Sequence, residues 1–280
     1  INDKPSAFRY PRGTGIGIEL PNINEILEIG KGKITVIDSK SVTMGTGLVI
    51  IKVASELKNK KSSKMADLVK MTNDLFFGYA EAAFGPISSA TPSYWKGNED
   101  YYGYNPDGAV ALLEEAGWKM GSDGVREKNG EKLTVFFPCL LEPDTCVAIQ
   151  GYANKVGFDV NVEVVMKARQ DELIFANGYD MLVIRWVSLD PGVLIIPFHS
   201  RNIPEPGKFK FNWARYANPE LDQLLEDAES AETQETKDDL YMQIQKHIMD
   251  QAIFLAIHDQ VQTVAYNQPS QYRYHAFLRL

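Results

Sequence analysis

The chain is poor in cysteine, with two in 280 residues, Cys139 and Cys146. So few cannot staple a fold of this length, which must instead rest on its apolar core. Pro143-Asp144 lies between them, and two readings stay open. They are either two small apolar side chains or a local disulfide suited to an oxidising compartment. No histidine or further cysteine lies near enough in sequence to complete a two-cysteine metal site. Basic charge is also scarce. Lys and Arg number 29 against 37 Asp and Glu, for a net charge of −8. With no basic stripe to offset that excess, no nucleic-acid partner is expected. No apolar run reaches the ~20 residues that cross a bilayer. The nearest, residues 181–198, is broken by Arg185, Asp190 and two prolines. The chain starts Ile1-Asn2-Asp3-Lys4, without an initiator methionine or a charged-then-apolar leader, and so reads as a processed or truncated product.

Catalytic signatures are missing too. There is no GxSxG elbow, HExxH pair, phosphate loop or complete GxGxxG. Gly13, Gly15 and Gly17 lack the dinucleotide spacing, and no clear strand precedes them. Glu114 and Glu115 are adjacent, so on a helix they point apart and read as a solvated edge. The four histidines, at 199, 247, 258 and 275, show no ligand spacing. No cofactor and no direct protein–metal site is expected.

What is present is an ordinary globular composition, 44% hydrophobic and 24% charged. No repeat, heptad series or low-complexity tract occurs. The run Leu48 to Val53 reads as a strand, and Lys64 to Phe84 as an amphipathic helix. Breakers from Gly85 to Pro92 lead to Tyr94, Trp95, Tyr101 and Tyr102, read as packing or rim residues. Asn105 caps a helix with Pro106 in its first turn and Gly117 at its end. Strands are expected at Leu133 to Phe137, Val160 to Val165 and Met181 to Trp186, with helices at Asp144 to Val156 and Gln170 to Ala176. This alternation implies a β-α-β-α-β unit with a parallel sheet covered by helices. Asn218-Pro219 starts another helix to about Ser230, and Thr233 or Thr236 caps a third through Met249. Ala252 to Ile257 and Val261 to Tyr266 read as closing strands.

Several strings share a further likeness. Tyr104-Asn105-Pro106-Asp107-Gly108 through Leu112-Leu113-Glu114-Glu115-Ala116-Gly117-Trp118 comes first, followed by Asp123-Gly124 to Asn129-Gly130. Then come Lys155-Val156-Gly157-Phe158-Asp159-Val160, Gly178-Tyr179-Asp180-Met181 with Trp186 and Asp190-Pro191, and Phe198-His199-Ser200 with Asn212. Tyr216-Ala217-Asn218-Pro219-Glu220-Leu221-Asp222 and Leu240-Tyr241 to Ile248 complete the series. Taken in this order over residues 84–266, they resemble the family 5 extracellular solute-binding proteins, the peptide and nickel receptors of ABC importers. Residues 1–83 match far less well.

The resemblance implies an α/β fold of the class II periplasmic-binding-protein type, with a mixed or parallel sheet flanked by helices. The family has two lobes with the solute between them. Residues 1–63 would then be a partial first lobe or hinge, 64–250 the solute-binding lobe, and 251–280 the return toward the first lobe. The implied function is to deliver a peptide or similar polar solute to permease subunits at the periplasmic or extracellular face. Membrane association would come only through an anchor outside this sequence or through the permease. An α/β enzyme and a ligand sensor without transport are the alternatives from other classes.

The resemblance also places the ligand site around Trp186-Val187-Ser188-Leu189-Asp190-Pro191. In peptide receptors an Asp after the Trp pairs with the ligand's ammonium, a charge that is costly to bury alone. The segment here is shorter, so Asp190 matches either that Asp or the later Asp-Pro of the family, or is a turn residue. Trp186 is a pocket wall or core, and Arg185 a ligand partner or half of a structural ion pair. Ser188 belongs to the same segment. His199 invites a nickel reading, because imidazole suits that metal.

Overall fold

Four consecutive apolar residues, Met181-Leu182-Val183-Ile184, are all buried, and the architecture is arranged around them. The computed structural model describes residues 43–44, 72, 74–76, 80–101 and 105–260. Their elements in chain order are β1 (Thr43–Met44), β2 (Ala80–Ala82), a 3-10 turn (Lys96–Asp100), α1 (Pro106–Glu115), β3 (Lys119–Met120), β4 (Arg126–Lys128) and β5 (Glu131–Lys132). Next are β6 (Thr134–Cys139), α2 (Pro143–Lys155), β7 (Asp159–Val164), α3 (Lys167–Ala176) and β8 (Trp186–Val187). A 3-10 turn (Pro191–Leu194) runs into α4 (Ile195–Phe198), followed by a turn at Ser200–Asn202, α5 (Pro219–Ser230), α6 (Gln234–Asp250) and β9 (His258–Gln260).

The centre is a β-α-β unit. β6 and β7 pair in parallel from Thr134↔Asp159 to Cys139↔Val164, joined by α2. Parallel strands require such a crossover, and helix α2 covers the pair. Val135, Phe137 and Cys139 from β6, Cys146 and Ile149 from α2, and Val160 from β7 form one core with Met181, Val183 and Ile257. Leu182 and Ile184 face the opposite way. They join Leu221, Leu225 and Ala228 of α5 and Tyr241, Ile244 and Ile248 of α6 in a second core.

Local sequence explains the helix ends. Asn105 accepts the Gly108 N–H at 2.8 Å ahead of α1, and Gly117 follows at φ +89°. Asn218 accepts the N–H groups of Glu220 and Leu221 ahead of α5. Thr233 accepts that of Thr236 ahead of α6. β3, β4 and β5 make a small antiparallel sheet that carries the buried Arg126. Its Nε donates to Val156 O at 2.8 Å and its Nη1 to Trp118 O at 2.7 Å, while Nη2 reaches the exposed Glu114. Gly157 is required beside it, since a Cβ there would stand 2.6 Å from Arg126 Cγ.

Three sequence expectations need correction. Met181 to Ile184 is buried but forms no ladder. Asp180 and Met181 both donate to the single carbonyl of Phe136, so pairing does not propagate, and only Trp186–Val187 pairs, with β1. The helix expected over Lys64 to Phe84 is interrupted, because Ala80–Ala82 is a strand held by cross-strand pairing with His258–Gln260. The strand expected over Ala252 to Ile257 forms instead at His258–Gln260. The strands expected at Leu48 to Val53 and Val261 to Tyr266, and the Gly13 to Gly17 segment, lie outside the described residues.

Cys139 and Cys146 form a disulfide, tying the end of β6 to the first turns of α2. Both residues are fully buried, so the bridge is part of the core. Closing so short a loop stabilises by about 2–3 kcal/mol on a chain-entropy estimate. Urea unfolding of C139S/C146S should show a loss of that order, and wild type in dithiothreitol the same loss. Unchanged midpoints in both would remove the bridge from the account.

Candidate functional site

Trp186 and Arg185 stand where the buried 181–184 segment emerges. Trp186 is half-buried, is held opposite Met44 of β1, and meets Phe211 edge-to-face with centroids 4.9 Å apart. Among the described residues, its Nε1 is buried without a hydrogen-bond partner. An unmet buried N–H costs about 1–3 kcal/mol, a penalty that Trp118 Nε1 shares.

Behind Trp186 runs a row of aromatic rings. Phe211 touches Phe209 at 5.2 Å, and Phe209 touches Phe175 of α3 at 5.9 Å. Trp213 closes on Phe209 and Phe211, and its own N–H is satisfied by Lys210 O at 2.9 Å. Lys167 lies 4.6 Å over the Phe209 ring. The sequence reading passed over this row, although Phe209-Lys210-Phe211-Asn212-Trp213 alternates aromatics in plain view.

Arg185 faces Glu142, with Nη1 to Oε1 at 3.7 Å. Glu142 sits just before α2 at φ 54° with Pro143 in the first turn, where the helix N-terminus favours a carboxylate. Its other oxygen is 2.8 Å from His258 Nε2 and accepts the Thr145 hydroxyl at 3.4 Å. Phe76 lies on the His258 ring at 4.1 Å. Glu142 is 14% exposed and Arg185 34%, so the carboxylate is locked behind while the guanidinium reaches toward solvent. The sequence reading found Arg185 but not Glu142 or His258. They are 43 residues before it and 73 after it in the chain, and only the fold joins them.

Ser188 and Asp190 make a turn. The Ser188 hydroxyl accepts the Asp190 N–H at 3.0 Å, and the Asp190 carboxylate accepts the Gly192 N–H at 2.8 Å. Asp190 therefore caps the Pro191–Leu194 turn, the arrangement anticipated for a residue preceding proline.

His199 is buried and both ring nitrogens are engaged. Nδ1 accepts the Arg201 N–H at 3.1 Å and lies 3.3 Å from Asp222. That assigns the proton to Nε2, which donates to Glu226 at 3.1 Å. Asp222 also holds Ser200 through its backbone N–H at 2.8 Å and its hydroxyl. His199 thus fastens the 200–202 turn to α5, apart from the Trp186 group. Among the described residues, no three His, Cys, Asp or Glu side chains gather in a metal-holding arrangement. Tyr94, Trp95 and Tyr101 are packing residues. Trp95 meets Tyr101 edge-to-face, Tyr101 donates to Asp250 at 2.8 Å, and Tyr94 packs on the α5–α6 core. Tyr102 lies outside the described residues.

Comparison with known proteins places the fold. Residues 65–202 match the description "Bacterial extracellular solute-binding proteins, family 5 Middle". The chain is 28% identical over 193 residues to the oligopeptide-binding protein AppA of Bacillus subtilis, which covers 66% of this chain and 35% of AppA. The structure of AppA in complex with a nonapeptide superposes with a TM-score of 0.68 at 23% identity, over 87% of this chain and 49% of that one. That of NikZ from Campylobacter jejuni in complex with Ni(L-His) gives 0.64 at 21% identity, over 81% and 46%. The chain therefore has the class II periplasmic-binding-protein fold and spans half or less of the length of these relatives. A 52-residue stretch, 18% of the chain, is 50% identical to a probable 1-deoxy-D-xylulose-5-phosphate synthase, chloroplastic, of Capsicum annuum, and covers 7% of that enzyme.

The geometry ranks the carboxylates. Glu142→Ala strands a buried histidine and an arginine and should cost about 3 kcal/mol in urea unfolding. Asp190→Ala removes one cap and should cost about 1 kcal/mol. The reverse order would remove Glu142 as the anchor of Arg185.

Proposed function

We propose, since residues 65–202 match the bacterial extracellular solute-binding proteins of family 5, that this chain carries one solute-binding lobe of an ABC importer's receptor. The solute is a peptide or a similar polar molecule, held between this lobe and a second and delivered to permease subunits. The observation that carries this reading is the emerging Arg185–Trp186 pair. It offers an indole N–H without a partner among the described residues beside a part-exposed guanidinium backed by Glu142. Both are donors, matched to the carbonyl and carboxylate oxygens of an extended peptide.

Ser188 and Asp190 form the rim of this site. Asp190 spends one lone pair on Gly192, which argues against a primary role in holding an ammonium group. His199, enclosed by Asp222 and Glu226, is a structural tie. Residues 64–250 make up the lobe, 251–280 return toward the other lobe, and 1–63 belong to that lobe or the hinge. The disulfide suits the periplasmic or extracellular side of the membrane. Among the described residues no helix is long and apolar enough to cross a membrane.

The likeness to NikZ supports a second reading, a nickel chelate as solute. Such a solute brings its own ligands and needs only donors and ring faces from the protein. The synthase-like stretch is too small a share of that enzyme to bring its activity.

Calorimetric titration separates these readings. This chain, and the longer protein that contains it where one is encoded, are titrated with mixed peptides of two to nine residues and with nickel–histidine. Binding of peptides by the longer form, weakened at least tenfold by Trp186→Ala, is the expected result. Binding of nickel–histidine alone would select the second reading, and binding of neither would sink both.

A further inference from the structure

β2 and β9, far apart in the chain, pair with each other as antiparallel strands. The register is Ala80↔Gln260, Glu81↔Asp259 and Ala82↔His258, and the Ala83 N–H continues it to Ile257 O at 3.2 Å. At the middle of this ladder two carboxylates stand opposite each other. Like charges in such a pair push strands apart.

The two acids are not equivalent. Glu81 is exposed and Asp259 half-buried, and among the described residues Asp259 Oδ1 is buried without a donor. The groups around Asp259 do not compensate it. Glu81 faces it from β2, while the Ser88 hydroxyl and Ser89 N–H offer partial relief from the loop that follows. From the next turn comes Tyr94, whose hydroxyl is itself pushed up by burial, then by Glu99 and Asp259. β1 also packs on β9, and neither Thr43 nor Met44 titrates. His258 projects to the other face of β9, onto Glu142 and Phe76, with the exposed Asp74 on the turn carrying Phe76.

We propose that Glu81 and Asp259 form a proton-operated clasp on the β2–β9 ladder, tight when Asp259 carries a proton and loosened when both carboxylates are charged. Burial first, with Glu81 adding, lifts the Asp259 carboxyl from the usual carboxylate range to about 7. Between about 3.9, the value of an unperturbed Asp, and about 7 the folded state binds more protons than the unfolded chain. Stability therefore falls as pH rises across this window and levels off above it. The consequence for solute capture, a lobe connection looser at pH 8 than at pH 5, rests on the two-lobe reading above. The clasp itself rests only on the ladder, so the pH test and the solute titrations fail independently.

The test is thermal unfolding of the whole chain from pH 4.5 to 8.5, for wild type, Asp259→Asn and Glu81→Gln. The difference in Tm between Asp259→Asn and wild type should widen by about 5 °C or more from pH 5 to 7.5. Glu81→Gln should move the wild-type fall toward lower pH. Hydrogen exchange at the Ala83 amide, which donates to Ile257 O, corrected for the intrinsic rate, should lose protection across the same window in wild type only. Parallel pH curves for Asp259→Asn and wild type would overturn the clasp. Should that variant fail to fold, carbon-detected NMR titration of Asp259 in wild type decides. A midpoint near 7 supports the clasp and one below 5 overturns it.

Discussion

The double burial of Met181 to Ile184 is the constraint on which the rest depends. Met181 and Val183 fill the core of the β-α-β unit, and Leu182 and Ile184 fill the core beneath α5 and α6. An extended segment turns successive side chains to opposite sides, so four residues hold two layers together. Phe136 fixes the segment's start by accepting from Asp180 and Met181, while its own N–H donates to the Asp180 carboxylate at 2.9 Å. With both flanks filled and one end pinned, Arg185 and Trp186 have little freedom in where they emerge.

The polar groups of the site are placed by the same frame. Glu142 follows β6 and precedes α2, so the β-α-β crossover sets the carboxylate behind Arg185. The disulfide closes that corner from below, joining β6 to α2 on either side of Glu142. His258 reaches Glu142 only because the chain comes back as β9. A charge cluster made from the crossover, the emerging segment and the returning strand couples the site to the pairing of β2 with β9.

The helices were legible from sequence because their signals are local. Asn105-Pro106, Asn218-Pro219 and Thr233 each name a cap, and Gly117 marks an end. The parallel pair was legible from alternation, since Thr134 to Cys139 and Asp159 to Val164 flank one helix. Met181 to Ile184 misled because a run buried on both sides reads as a central strand, whether or not its backbone finds a ladder. β2 was misread as helix because its pairing partner lies 176 residues on at its closest. The same separation concealed the site. Trp186 and Arg185 could be named from their segment, while Glu142, His258 and Phe211 required the fold. His199 looked like a ligand because nothing nearby in sequence reveals that Asp222 and Glu226 enclose it.

The central claim is that packing on both faces of one short segment delivers Trp186 to a solute. Nuclear magnetic resonance of the tryptophan indole N–H groups tests it most directly, in the longest form of the protein that binds a peptide by calorimetry. The Trp186 signal should shift to saturation with the peptide, because its N–H gains an acceptor. The Trp213 signal, already bonded to Lys210 O, should stay in place. A peptide that binds while Trp186 remains silent would contradict the account.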